Sequence, residues 1–286
     1  MRMATDVVAF IQNQWGCRDP FCAIDFSEKI WDELCERAYR DLRVRCNHLK
    51  SSPFCIRLIG QSGAGKTSQL VPAMKAALEA QSQAFISFAV RDFVSYHPNL
   101  NVIREHYDEG LIREKTNAFA LTLLTLVFAR CVQERLPILF EVTLLSPEYE
   151  RFVHQCLSEQ GYSCDYHCLA IAKEISDAWI EARYRETRRV VSKRSSDFFF
   201  QTLKPAFETL QSVRIPNRVF IWDAYHTEPQ CTRFPDACLW QKIQKVAYMD
   251  AEPLSFEAAL EGKKSFLRSF YRKHPFVFTD RETANS

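Results

Sequence analysis

The chain has 286 residues, of which 47% are hydrophobic and 25% are charged. These proportions are typical of a globular protein with one large domain or two modest ones. The formal net charge is only +2, so bulk charge gives no reason to expect a nucleic-acid partner. Every apolar run falls short of the roughly 20 residues needed to cross a bilayer, and we therefore expect no membrane span.

Eleven cysteines are scattered along the chain. An odd number of cysteines without regular spacing favours free thiols in a reducing compartment. The N-terminus interrupts its apolar positions with Asp6 and Gln12, which is unlike a secretory signal. We expect a cytoplasmic site of action, and the sequence leaves secretion as an effector open. Cys164, His167 and Cys168 form a cluster without a second ligand pair, so we interpret it as part of a strand and not as a zinc site.

The first 50 residues are predicted to form a helical segment. Ser27 is a suitable N-cap for its main helix, whose apolar positions recur at helical spacing. Ser51-Ser52-Pro53 marks a boundary. The segment either packs on the next domain or covers its functional site. We therefore divide the chain into an N-terminal helical segment at 1–50, a core at 51–230 and a C-terminal helical tail at 231–286.

Strands and helices alternate through the predicted core. Five short apolar runs predict buried strands at 54–59, 84–90, 136–142, 164–172 and 218–222. Helical patterns lie between and after them at 68–80, 102–135, 147–160, 175–189 and 197–211, with another at 256–272 in the tail. This alternation is typical of an α/β fold with a doubly wound, mostly parallel sheet.

The segment after the first strand matches G-x-x-x-x-G-K-[ST] at every fixed position. Glycines let successive backbone N–H groups point inward around a phosphate, at the N-terminus of the next helix. Lys66 would neutralise the β- and γ-phosphates, and the Thr67 hydroxyl would be a ligand of Mg²⁺. The predicted ATP-binding residues are Gly60, Gln61, Ser62, Gly63, Ala64, Gly65, Lys66, Thr67 and Ser68.

Charged side chains follow two of the other strands. Arg91 and Asp92 come directly after the second strand, and Glu141 and Thr143 end the third. The carboxyl ends of parallel strands surround the ligand in such a sheet, so we expect these residues at the same edge as the glycine-rich loop. The helices after the fourth strand are rich in arginine, and one or two of these guanidinium groups would reach the phosphates.

The order of these motifs resembles the zeta-toxin family of P-loop kinases, which is related to chloramphenicol phosphotransferase. The resemblance spans residues 54–225 and is carried by the segments GQSGAGKTS, RDFVSYHPN, IREHYDEG, FEVT, ISDAWIEARYRETRR and KRSSDFF. It implies ATP and Mg²⁺ as cofactors and transfer of the γ-phosphate to a hydroxyl of a nucleotide sugar such as UDP-N-acetylglucosamine. Related proteins act on other small molecules, including NAD. An antitoxin partner, or inhibition in cis by residues 1–50, is a further expectation.

The resemblance also implies roles for individual residues. Asp92 would be the general base that takes the proton from the attacking hydroxyl, and Arg183 and Arg194 would clamp the transferring phosphoryl group. The catalytic set would therefore be Asp92, Lys66, Arg183 and Arg194. The substrate-binding set along the acceptor pocket would be His97, Glu141 and Thr143.

Two positions depart from the family pattern. Asp92 stands five residues before His97, whereas the family aspartate usually stands six before the histidine, and Arg91 fills that place. Val142 stands where the toxins commonly have glycine, and its side chain would narrow the acceptor pocket or move the acceptor.

Two other functions stay open from the sequence. One is a regulatory or transport NTPase, although a GTPase is disfavoured because no N-K-x-D tetrad follows the glycine-rich loop. The other is a pseudoenzyme that keeps the P-loop fold as a binding or inhibitory module, which the displaced aspartate favours. A requirement for a small acceptor during ATP use separates the kinase from both.

Overall fold

The computed structural model describes the greater part of the chain. The residues described are 8–13, 16, 19–43, 53–143, 146–187, 191, 193–211, 217–223, 230–233 and 236–247. The helix predicted at 256–272 lies outside the described residues.

Six strands form one sheet within the described residues. They are β1 Phe54–Ile59, β2 Ile86–Ala89, β3 Ile138–Glu141, β4 Ser163–Ala170, β5 Asn217–Asp223 and β6 Gln230–Arg233. Their spatial order is β2-β3-β1-β4-β5-β6. The first five are parallel to their neighbours, and β6 pairs antiparallel with β5. The predicted α/β fold with a mostly parallel sheet is confirmed.

Helices connect the strands. Besides helical residues at 8–13, the α-helices within the described residues are α1 Glu28–Arg43, α2 Val71–Ala80, α3 Leu100–His106, α4 Glu109–Gln133, α5 Pro147–Glu159, α6 Lys173–Thr187, α7 Lys193–Gln211 and α8 Leu239–Ala247. From β1 the chain crosses β3 to reach β2, and from β3 it crosses β1 to reach β4. Crossovers of this kind are almost always right-handed, so this reversal of direction places helices on both faces of the sheet.

The structure corrects two of the predicted elements and adds a strand. The helix predicted at 102–135 is two helices, α3 and α4, separated at Tyr107 and Asp108. The second strand is shorter than predicted, because a 3₁₀ helix over Val90–Tyr96 follows it directly. The strand β6 was not predicted and extends into the segment 231–286 that was predicted to be a helical tail, since its sequence QCTR lacks the apolar run typical of a buried strand.

The helix α1 packs on the same hydrophobic core as the sheet. Its buried face includes Trp31, whose ring stacks on Phe119 of α4 with centroids 5.3 Å apart. Ile30, which also fits the helical spacing, is exposed. The helix α1 therefore makes packing contacts with α4, and the choice between a packing and an inhibitory role for residues 1–50 stays a prediction. The division of the chain at residue 50 stays a prediction, because residues 44–52 lie outside the described part.

One described helix, α4, is long and apolar enough to cross a membrane by length and composition alone. Of its most apolar window, 72% is buried inside the protein. The core helix of a globular domain has the same property, so the composition of α4 is explained by its position between the sheet and α1.

A buried ion pair joins the central strand to α5. The guanidinium of Arg57 on β1 donates two hydrogen bonds to the carboxylate of Glu150, and both side chains are 0% exposed. The rings of Phe140 and Tyr166 flank the guanidinium, with centroids 5.5 and 5.6 Å from its central carbon. Two charges in such a site are tolerated only because they are paired with good geometry.

Candidate functional site

The glycine-rich loop begins where the central strand β1 ends. Gly60, Gly63 and Gly65 have φ angles of +147°, +83° and +96°, a region that side chains with a Cβ rarely adopt. A Cβ on Gly63 would also lie 2.6 Å from the carbonyl oxygen of Ser176 in α6. The loop therefore needs glycine both for its curvature and for the close approach of α6.

The following residues form a single π-helical turn, Lys66–Leu70, that leads into α2. The ammonium of Lys66 is nearly buried and donates to the carbonyl oxygens of Gly60, at 2.6 Å, and Gln61, at 3.0 Å. The lysine thus lies inside the curve of the loop, on the side towards which a phosphate group would bind.

The β4–α6 connection and the start of α6 hold the loop from the other side. The amide of Gln61 donates to the carbonyl oxygen of Ile171 at 2.7 Å, and the hydroxyl of Ser176 donates to the carbonyl oxygen of Ser62. Ile180, one turn further along α6, would lie 3.0 Å from a Cβ on Gly63. This face of α6 is therefore fixed against the loop.

Arg183 lies on this same face of α6, seven residues after Ser176 and thus two turns along the helix. Burial lowers the pKa of Arg183 from its ordinary value, although a guanidinium stays charged in proteins. The sequence-predicted phosphate clamp therefore includes one arginine on the helix face that contacts the loop. Arg194 lies in the first turn of α7, and its side chain is outside the described part of the structure.

The edge of the sheet beside the loop carries a three-residue polar network. The Thr67 hydroxyl donates to the Glu141 carboxylate. Arg91 donates to the Thr67 hydroxyl at 2.7 Å through Nη1 and to Glu141 Oε2 at 2.8 Å through Nη2. The sequence predicted that these residues share an edge, and the structure brings them into direct contact. It did not predict the contacts of Arg91.

Asp92 lies in the first turn of the 3₁₀ helix that follows β2. Its Oδ2 accepts a hydrogen bond from the backbone N–H of Ala89 at 2.8 Å. Its Oδ1 lies 3.7 Å from Nε of Arg91, and 42% of the side chain is exposed. One carboxylate oxygen is therefore held by the strand end, while the carboxylate as a whole stays accessible to solvent. Its role as general base stays a prediction.

His97 ends the 3₁₀ helix and is buried, with 3% of its surface exposed. Its Nδ1 accepts from the backbone N–H of Asn99 at 3.1 Å, and its ring lies 4.5 Å from the ring of Phe119. Burial lowers the pKa of His97 to about 4, so the imidazole is neutral at physiological pH. This position among aromatic rings shapes the turn into α3, and contact of His97 with an acceptor stays a prediction.

Thr143 lies two residues beyond the end of β3 and is half-buried. The intervening Val142 is buried and donates its N–H to the carbonyl oxygen of Leu58 at 3.0 Å, which continues the contact between β3 and β1. The valine side chain thus packs in the core at the point where the sequence led us to expect a narrowed pocket.

Lys173 ties α6 to α7, and the sequence did not single it out. Its ammonium lies 2.5 Å from Asp177 Oδ2 and 2.9 Å from Asp197 Oδ1. The hydroxyl of Ser196 donates to Asp177 Oδ1 at 2.9 Å. The spacing of Lys173 and Asp177 by four residues was a signal for one of these contacts. The cluster fixes the first turns of the two helices that carry Arg183 and Arg194.

Comparison with known proteins identifies the family. A family model described as Zeta toxin matches residues 39–230. The chain is 28% identical over 193 residues to Toxin PezT of Streptococcus pneumoniae serotype 4 (strain ATCC BAA-334 / TIGR4), across 64% of this chain and 74% of that protein.

Two solved structures share the fold. One belongs to the PezAT chromosomal toxin-antitoxin system of the human pathogen Streptococcus pneumoniae, with a TM-score of 0.62 and 18% identity over 89% of this chain and 98% of that one. The other is the AvrRxo1-ORF1:AvrRxo1-ORF2 complex with sulphate ions, with a TM-score of 0.50 and 14% identity over 85% and 84%. The family model spans well over half of the chain, so the resemblance is confirmed and the protein belongs to the zeta toxin family.

Proposed function

We propose that this protein is an ATP-dependent kinase that transfers the γ-phosphate to a hydroxyl of a small molecule, with a nucleotide sugar such as UDP-N-acetylglucosamine as the acceptor. The observation that carries the proposal is the joint position of the Lys66 ammonium inside the glycine-rich loop and the contact of Thr67 with Glu141 at its edge. Membership of the zeta toxin family supports a kinase-like function.

The nucleotide would bind with its phosphates against the N–H groups of the loop. Lys66 would turn from the carbonyl oxygens of Gly60 and Gln61 to the β- and γ-phosphates, where its charge favours the transition state. Arg183 would add a second cation from α6. Holding donor and acceptor in line supplies much of the acceleration in such reactions.

The residues beside the loop fit a magnesium ion. The Thr67 hydroxyl and the Glu141 carboxylate are hard oxygen donors of the kind that Mg²⁺ prefers, and they are in contact. When bound there, the ion would neutralise charge on the β- and γ-phosphates. Glu141 would in that case both bind the ion and line the acceptor pocket.

Asp92 is the proposed general base. Its accessible carboxylate stands after β2, next to the strand that ends in Glu141. It would accept the proton of the acceptor hydroxyl as the hydroxyl oxygen attacks phosphorus.

The acceptor pocket is proposed to lie between Glu141, Thr143 and the turn at His97. A neutral imidazole has one hydrogen-bond donor and one acceptor but no charge. His97 would therefore act through the shape of the turn and not through charge. Nucleotide sugars carry many hydroxyl groups, and a carboxylate such as Glu141 binds hydroxyl groups well.

A protein partner is the second part of the proposal. The similar solved structures are of a toxin-antitoxin system and of a two-protein complex. We infer that an antitoxin-like protein binds this chain. Inhibition in cis by residues 1–50 is the competing proposal, and the apolar packing of α1 on α4 favours a structural role for this segment.

The test is incubation of the purified protein with γ-labelled ATP, Mg²⁺ and either UDP-N-acetylglucosamine, NAD or a metabolite extract, followed by mass spectrometry. We expect one sugar nucleotide to gain a phosphate. The test variant is Lys66→Ala, which removes the loop cation. Its matched control is Lys29→Ala, which removes a lysine that is 85% exposed on α1. Phosphate transfer that is equal in wild type and Lys66→Ala would overturn the proposal.

The second candidate is a nucleotide-binding module without transfer activity. The ion pair between Arg91 and Glu141 favours it, because a guanidinium at the sheet edge neutralises a carboxylate that chemistry would use. ATP binding without any phosphorylated product, in the extract as in defined mixtures, would support this candidate against the kinase.

A further inference from the structure

The guanidinium of Arg91 lies against both oxygen groups that fit the metal. Nη1 is 2.7 Å from Thr67 Oγ1 and 3.5 Å from Glu141 Oε1, and Nη2 is 2.8 Å from Glu141 Oε2. The contact to the carboxylate uses both terminal nitrogens. An arginine fork of this kind gives a stronger and more directional bond than a single amine does.

The hydroxyl of Thr67 is both a hydrogen-bond donor and a hydrogen-bond acceptor. The hydroxyl donates its proton to Glu141 and accepts the N–H of Arg91. A metal ion requires a lone pair of this oxygen and the charge of the carboxylate. Arg91 therefore binds the same two groups that a divalent cation would bind, and the two cations compete.

Burial explains why a cation is held there. The side chain of Glu141 is only 12% exposed, and a carboxylate removed from water is costly without a paired positive charge. The side chain of Arg91 is 33% exposed, so part of it already contacts solvent. Arg91 can therefore leave the carboxylate at low cost when another cation replaces it.

We propose that Arg91 is an exchangeable internal cation that competes with Mg²⁺ for Thr67 and Glu141 and so weakens the dependence of ATP binding on the metal. The inference rests on the proposed nucleotide site. In the absence of metal, the guanidinium stands near the phosphates in place of the ion. In its presence, the ion takes the two oxygen groups and Arg91 turns towards solvent or the acceptor.

The test measures the Kd for ATP by calorimetry, once in excess EDTA and once in saturating Mg²⁺. The quantity compared is the Kd in EDTA divided by the Kd in Mg²⁺. For Arg91→Ala and for Arg91→Gln we expect this ratio to rise by about tenfold over wild type, the size expected for one charge-assisted contact. A purely structural role of Arg91 would shift both Kd values together and leave the ratio unchanged.

Two controls define the result. Arg104→Ala removes an exposed arginine on α3 and should keep the wild-type ratio. Glu141→Gln removes the charge for which the two cations compete and should lower the ratio of Kd values. A ratio that is unchanged or smaller in both Arg91 variants overturns the inference while the kinase proposal stands. Failure of the wild-type protein to bind ATP under either condition overturns the proposed function, and the inference with it.

Discussion

At the scale of single residues, the site depends on where β2 and β3 end. Ala89 and Glu141 are partners in the parallel register of these strands, so Asp92 and Glu141 meet at one edge although they are far apart in the sequence. The sequence could predict the shared edge, because apolar runs and the glycine motif are local signals. It could not predict that Arg91 binds Glu141, because this contact depends on the side-chain directions at two strand ends.

The first prediction concerns Asp92→Asn. If the carboxylate takes the proton of the acceptor, turnover should fall by about 10²–10⁴-fold, while the Kd for ATP stays at the wild-type value. Steady-state kinetics and calorimetry measure the two quantities. Asp25→Asn, which changes an exposed aspartate before α1, should retain full turnover, and wild-type turnover by Asp92→Asn would exclude the base.

The second prediction concerns Gly63→Ala. The added Cβ meets the carbonyl oxygen of Ser176 at 2.6 Å on a residue with φ of +83°, and the left-handed conformation costs a further ~1–2 kcal/mol. We expect ATP affinity to fall, together with a modest loss in the free energy of unfolding. Gly110→Ala, in the first turn of α4, is the matched control, because alanine in a helix is stabilising. Equal ATP affinity in both variants would contradict the role of α6 in holding the loop.

At the scale of elements, buried polar contacts fix how α5 docks on the sheet. Arg57 reaches Glu150 across the β1–α5 contact, and Tyr166 on β4 hydrogen-bonds His154 one turn further along α5. A helix held by such contacts has only one register on the sheet, since a shift would leave buried charges unpaired.

The third prediction tests this docking. Glu150→Ala should lower the free energy of unfolding by about 3–5 kcal/mol, because it leaves the Arg57 charge buried and unpaired. Urea unfolding measures the change. The exposed Glu33→Ala, which breaks a surface pair with Lys29, should cost less than about 1 kcal/mol. The double variant Arg57→Met/Glu150→Leu should be more stable than Glu150→Ala, and the opposite order would contradict this account.

There are physical reasons why the sequence did not predict two features of the fold. The helix at 102–135 appears continuous because Tyr107 and Asp108 include neither glycine nor proline, although Asp108 has the non-helical φ and ψ of −59° and 145°. The strand β6 is a polar edge strand whose pairing with β5 is decided by the fold and not by its own composition. Local sequence patterns were sufficient to predict the buried strands. They were not sufficient to predict the edge strand β6 or the break between α3 and α4.

At the scale of the whole molecule, three buried histidines link stability to pH. Burial lowers the pKa of His97 to about 4, of His154 to about 3 and of His167 to about 4. The nearby Arg57 lowers that of His154 further. His167 is also held by the indole N–H of Trp222, which donates to its Nδ1 at 3.0 Å. All three are neutral in the folded protein at pH values where the unfolded chain binds protons.

The fourth prediction follows from the sign of these shifts. Above pH ~6.5 the histidines are neutral in both states and cost no stability. Between pH ~6.5 and the lowered pKa values the unfolded chain takes up more protons, so stability falls as the pH falls, by at most about 1.4 kcal/mol per pH unit for each histidine. Urea unfolding at several pH values measures this slope, which should be smaller for His167→Gln. A free energy of unfolding that is constant over this interval would contradict the prediction.

The central position of β1 has a consequence for biosynthesis. This strand is made early, yet its two neighbours β3 and β4 come roughly 80 and 110 residues later. A ribosome must therefore release the polypeptide as far as residue 170 before the glycine-rich loop has a strand on either side of β1. Truncated or still-tethered chains would therefore lack β3 and β4 on either side of β1, so the glycine-rich loop can take its final position only when synthesis of the chain is well advanced.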